Sequence, residues 1–83
     1  MTLFELKQYL EQGREIEFSL FSNSYFLYPL FENEKFTNSF AIHDSLLGND
    51  IVLGNLEAIL SFEFAPGISF IKKIDYFKFE YIL

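Results

Sequence analysis

The chain predicts an α+β fold: a small antiparallel sheet of four to five strands, covered on one face by an N-terminal helix, with one or two short helices before the last strand. Three observations carry that expectation. The 12 Phe and 5 Tyr among 83 residues sit mostly in short runs where apolar and polar residues alternate, the period of half-buried strands. A capping signature and a helical apolar stripe precede the first of these runs. A second helical spacing, framed by turn residues, precedes the last.

Thr2 and Glu5 have capping-box spacing, and Leu3, Leu6 and Leu10 lie on one face of a helix over residues 3–12 that Gly13 closes. Residues 15–20 alternate without a break and send Ile16, Phe18 and Leu20 to one side. Ser22-Asn23-Ser24 reads as a turn and residues 25–28 as the returning strand of a hairpin. Pro29 ends that pairing or leaves it at an edge.

Glu32-Asn33-Glu34-Lys35 predicts the next turn, followed by a strand through His43 with Phe36, Phe40 and Ile42 on one face. Gly48-Asn49-Asp50 is a turn signal, and residues 51–53 form a short strand. Asn55 caps a helix with Leu56, Ile59 and Leu60 inward and Glu57 near its positive end. Beyond Pro66-Gly67, Ser69 caps one more turn with Ile71 and Ile74 inward, and residues 77–81 close the sheet. The expected core is Leu3, Leu6, Leu10, Ile16, Phe18, Phe26, Leu56, Leu60, Phe77 and Phe79.

No linker, repeat or low-complexity tract divides the chain, so residues 1–83 are expected to form a single compact α+β domain. The absence of Cys excludes disulfides, thiol catalysis and thiolate zinc sites. The first residues carry acid where a signal peptide carries base, and no apolar stretch approaches a membrane span, which predicts a cytoplasmic protein with no membrane association. The net charge is −6. Residues 1–71 hold 3 basic and 10 acidic groups, whereas residues 72–83 hold 3 basic (Lys72, Lys73, Lys78) and 2 acidic. Such acidity disfavours direct nucleic-acid binding and leaves a docking surface for a basic protein.

Chemistry-bearing constellations are sparse. His43-Asp44 is the one sequence contact of a histidine with a carboxylate, a general base or half a metal site in principle. Neighbours in a strand face opposite ways, so a strand-end pair without chemistry is the stronger reading. Glu15 and Glu17 share a face, which hydrolase carboxylates do too, but so does any solvated sheet surface. Arg14, the sole arginine, stands at the helix-to-strand junction and either clamps a ligand carboxylate or ties down the helix end or a strand glutamate. Gly48 and Gly54 form no phosphate loop, and no serine stands in a nucleophile elbow. No cofactor and no metal is expected.

The run Leu10-Glu11-Gln12-Gly13-Arg14-Glu15-Ile16-Glu17-Phe18, preceded by Leu6 and followed by Tyr25-Phe26-Leu27, resembles the opening of small uncharacterised proteins of low-GC Gram-positive bacteria and their mobile elements. Gly54-Asn55-Leu56-Glu57, Ile59-Leu60 and the closing Phe77, Phe79 and Tyr81 are similar to the later helix and last strand of that group. Where its members turn the first hairpin with an Asn-Gly-Lys type sequence, Ser22-Asn23-Ser24 stands here. The resemblance implies a fold and a bacterial setting, and transfers no site residues.

These features favour a non-catalytic protein-binding or regulatory module, of the kind a phage or mobile element uses as an inhibitor or immunity-like protein. Outward acids Glu15, Glu17, Glu32 and Glu34 are the expected partner contacts. A structural homo-oligomer with an exposed aromatic sheet face is the alternative, and a small enzyme comes third.

Overall fold

Thr2 opens the molecule with the reciprocal bonds its spacing predicts. Its hydroxyl accepts from the Glu5 N–H at 3.1 Å, and its own N–H donates to Glu5 Oε1 at 2.9 Å. Those bonds, backbone first, hold the Glu5 carboxyl below its usual range. In the computed structural model, which describes residues 1–83, helix α1 runs Leu3–Glu11 with Leu6 and Leu10 buried. Gly13 follows with φ +71, and a Cβ there would come 3.4 Å from the Phe36 ring. Glycine is favoured there by the left-handed backbone, while the ring stands at ordinary contact distance.

Five strands follow the alternating runs: β1 (Ile16–Leu20), β2 (Asn23–Glu32), β3 (Lys35–Asp44), β4 (Asn49–Leu53) and β5 (Lys78–Ile82). All pairings are antiparallel, in the order β4-β3-β2-β1-β5. The C-terminal strand thus docks on β1, so the sheet closes only when the last residues arrive.

The first hairpin is tighter than Ser22-Asn23-Ser24 predicts. Leu20 pairs with Asn23 across a two-residue turn, Phe21 and Ser22, with φ of 49 and 67. The difference moves Phe26 out of the expected core. A turn over residues 22–24 sets Leu20 against Phe26, whereas the actual register sets Phe18 against Tyr25 and Ile16 against Leu27. Residues directly opposite share a face, so a register shift of three residues, an odd number, exchanges the two faces of β2. Tyr25 and Leu27 are buried and Phe26 faces away.

Pro29 does not end β2. The strand continues to Glu32, but its register with β3 shifts between Pro29 and Phe31. Proline offers no N–H to the ladder, and β3 bulges there with Asn38 at φ 64. The Thr37 hydroxyl donates to the Leu30 carbonyl at 2.8 Å across the gap.

The covering layer adds two short helices. Asn55 caps α2 (Leu56–Ser61) by accepting from the Ala58 N–H at 2.8 Å, and Ser69 caps α3 (Phe70–Lys73) through Lys72 N–H at 3.2 Å. A 3-10 turn, Ile74–Tyr76, then leads into β5. Ile71, expected inward, is exposed. With α3 only one turn long, Phe70 takes the inward position and Ile74 packs beside it.

All helices lie on one sheet face, and the core between the layers is mostly rings. Phe18 is fully buried, with centroids of Tyr25, Phe64, Phe70 and Phe77 at 5.3, 5.5, 5.2 and 5.8 Å. Stacked and edge-on contacts of this kind add to simple area burial. Of the expected core, Leu6, Leu10, Ile16, Phe18, Leu60 and Phe77 are buried, and Leu3, Leu56 and Phe79 pack against it half-buried.

Candidate functional site

The sheet face away from the helices is open, and strand register lines its side chains into rows. Pairings Asp50–His43, His43–Phe26, Phe26–Glu17 and Glu17–Tyr81 form one row across all five strands. Val52, Ala41 and Tyr28 form the next. Phe26 and Tyr28, two apart on β2, stack with centroids 5.8 Å apart and planes at 26°. Val52 and Tyr81 flank them, well exposed.

Polar groups on this face are tied together. Asp50 Oδ1 lies 2.6 Å from His43 Nδ1, and its Oδ2 accepts from the Tyr28 hydroxyl at 2.8 Å. The His43 bond, then the Tyr28 bond, hold the Asp50 carboxyl below its usual range. The same carboxylate, followed by burial, pushes the Tyr28 phenol up. The effect is to fix the Tyr28 ring and hence the Phe26 ring stacked on it. Nucleophilic catalysis adds a hydroxyl or thiol bonded to the second imidazole nitrogen; His43 makes one side-chain bond, to Asp50.

His43 and Asp44 lie back to back, as neighbours in a strand must. Asp44 is 8% exposed on the core side, where its Oδ1 accepts from Asn23 Nδ2 and from the Leu46 and Leu47 N–H groups. Burial raises its pKa, but these bonds outweigh it, and the carboxyl is held below its usual range. The partner of His43 is instead Asp50, which sequence reasoning assigned to a turn. Counting outward from a four-residue turn at 45–48 places 43 opposite 50, and that pairing was the available signal.

Of the expected contact residues, Glu15 directly precedes β1 and Glu17 lies on it, exposed in the row beside Phe26. Glu32 and Glu34 lie elsewhere. Glu32 pairs with Lys35 at the far hairpin tip, and Glu34 is a turn residue with φ 65. Six residues of β2 separate Phe26 from Glu32, about 20 Å at ~3.3 Å per residue. Arg14 ties down the helix end rather than a strand glutamate. Its Nε donates to the Leu83 main-chain oxygen at 2.6 Å, another guanidinium nitrogen lies 3.3 Å from Gln12 Oε1, and the group sits 5.6 Å from the Tyr9 ring centroid. It fastens the end of β5 to the end of α1.

No group of three or more His, Asp or Glu is placed to hold a metal, no pocket forms, and no helix is long and apolar enough to cross a membrane. No protein-family model matches the chain, and no significant match was found among curated proteins or solved structures.

Proposed function

We propose that the protein is a non-catalytic protein-binding module, regulatory or inhibitory in role, that meets a basic protein surface with the open face of its sheet. One arrangement supports this reading. Phe26 and Tyr28 stack at the middle of a face no helix covers, and Glu17 and Asp50 border them. Immobilised rings supply most of the energy of an interface when water leaves them, and border carboxylates steer a cationic partner and set its approach rate. On this reading the protein works in the cytoplasm, needs no cofactor, and avoids nucleic acid because its acidic face repels phosphate.

The test is capture from the lysate of the source cell, followed by association kinetics with the captured protein. Raising salt from about 0.05 to 0.5 M shortens the Debye length from roughly 14 to 4 Å. Association is expected to slow with salt and with Glu17→Lys, and Phe26→Ala to raise the dissociation constant by about tenfold or more. Rates indifferent to salt and to both substitutions, or tight binding to duplex DNA, overturn the reading.

A further inference from the structure

The two edges of the sheet are built in opposite ways. Strand β5 is blunted: its register against β1 shifts between Glu17 and Phe18, which leaves Glu80 as an extra, bulged residue, and Lys78 and Glu80 stand exposed along it. Bulges and charged side chains, lysine above all, keep a stray strand from pairing with an edge. Strand β4 has neither. It pairs with β3 in unbroken register from Asp44–Asn49 to Phe40–Leu53, and it holds no Pro and no Lys. Its one charge is drawn inward, because Asp50 bonds His43 on β3 and Tyr28 on β2.

In an antiparallel pair every second residue of an edge strand turns its N–H and C=O away from the neighbour. The backbone hydrogen bonds outside the ladders leave residues 49–53 untouched, so those outward groups of β4 have no backbone partner within the chain. Side chains continue the pattern. Ile51 and Leu53, opposite the buried Ile42 and Phe40, lie on the core side and are half-buried, while Val52 is 66% exposed on the open face. The core therefore ends at this edge in apolar side chains with one flank uncovered.

We propose that β4 takes up an extended segment of a partner protein as a further strand, in which apolar residues beside Ile51 and Leu53 alternate with Lys or Arg on the open face opposite Asp50. Hydrogen-bond geometry fixes the form of the occupant, since another extended main chain is what presents donors and acceptors at the spacing of an edge. Charge fixes its chemistry. Residues 36–71, which supply β4, most of β3 and α2, contain Asp44, Asp50, Glu57 and Glu63 and not one Lys or Arg. Of these acids Glu63 alone has a lysine partner, Lys72 at 3.3 Å. A cation directly across from Asp50 adds a favourable cross-strand pair. The same composition argues against a second copy, because pairing two β4 strands brings two stretches with acid and no base together and offers Asp50 no cation. This edge is distinct from the ring face of the proposed function and does not depend on it.

The test follows backbone amide exchange of the full, isotope-labelled chain by NMR, alone and with about 2 mM of a blocked peptide in which Lys-Val is repeated, so that every register and both directions are offered. A dissociation constant of about 1 mM for so short a segment slows exchange of the captured amides about threefold. That slowing is expected at alternate residues within Asn49–Leu53 and not on β5. A Glu-Val peptide is expected to give none, and Val52→Lys, an exposed position whose change leaves the spectrum of the fold intact, is expected to abolish it. Amides of β4 unslowed by Lys-Val, slowed equally by Glu-Val or still slowed in Val52→Lys overturn the proposal. Slowing on β5 instead overturns it too, and so does slowing of β4 without peptide that grows with chain concentration, which gives the edge to a second copy. Shifts of Phe26 and Tyr28 with β4 unslowed also count against the edge while leaving the proposed function standing, so the two readings fail separately.

Discussion

Strand β2 begins and ends in turns of the same backbone type, filled in opposite ways. At its start Phe21 and Ser22 have φ of 49 and 67; at its end Asn33 and Glu34 have φ of 52 and 65. The second pair follows local preference, with Asn in the left-handed region and acid in water. Opposing it, the first puts a bulky ring where left-handed backbone costs about 1–2 kcal/mol. Nor does burial repay that cost, because the ring stays mostly exposed. One end is built as a solvated hairpin tip. The other retains a local conflict that the edge-on contact of Phe21 with Tyr76, 6.2 Å between centroids, offsets only in part, and such conflicts concentrate where a protein makes contacts.

The largest effect should come from the carboxylate that braces the apolar end. Asp44→Ala leaves two backbone N–H groups and Asn23 without their acceptor and is expected to lower stability by about 2–3 kcal/mol. At the other end Thr37→Ala, which removes a single neutral bond across the register shift, is expected to cost about 0.5–1.5 kcal/mol. Chemical denaturation of both variants measures the ratio. The same carboxylate gives the comparison a pH dependence. Because its folded pKa is depressed, Asp44 contributes stability that is fully present above its unfolded value of about 3.9 and is lost as pH falls through the folded value. Acid unfolding of Asp44→Asn should be correspondingly shallower below about pH 4, and a variant that keeps the wild-type slope assigns acid sensitivity elsewhere.

An intermediate effect, of opposite sign, is expected from refilling the strained turn. Phe21→Asn with Ser22→Gly gives the backbone the residues it favours and should stabilise the chain by about 1–2 kcal/mol. Glu34→Gly at the far turn should gain less, about 0.5–1 kcal/mol, since Asn33 already suits its place. Equal gains, read as shifts in thermal midpoint, break the contrast between the two ends.

The legibility of the sequence follows the same division. Helix α1, its cap and the alternating β1 were readable because each rests on signals within a few residues. The element order and the antiparallel sheet were readable for the same reason. Phe26 was misplaced because Tyr25-Phe26-Leu27-Tyr28 is apolar at every position and carries no parity of its own. Its face is set by the preceding turn, and Phe21-Ser22 is a turn that local preference argues against. The Asp50 bonds to His43 and Tyr28 were hidden for a related reason: they join three strands, and only the completed register brings them within reach. In each case the missing information was a count of residues through a turn.

The smallest stability effects are expected from the acids themselves, and they sharpen the comparison most. Glu17, Glu32 and Glu34 are all exposed, so charge reversal at any of them should change stability by no more than about 0.5 kcal/mol. Their effect on association should nevertheless differ. Glu17 stands in the row beside Phe26, whereas Glu32 and Glu34 lie about 20 Å along the hairpin, beyond roughly 8–14 Å of electrostatic reach at moderate salt. Glu17→Lys is therefore expected to slow capture of a basic partner, and Glu32→Lys with Glu34→Lys to leave it nearly unchanged. Association rates at about 0.1 M salt decide between a localised site and a diffuse field. If the double variant at the tip slows capture as much as Glu17→Lys, the attraction belongs to the net charge of the whole chain, and the open face loses its claim to be the place where the partner sits.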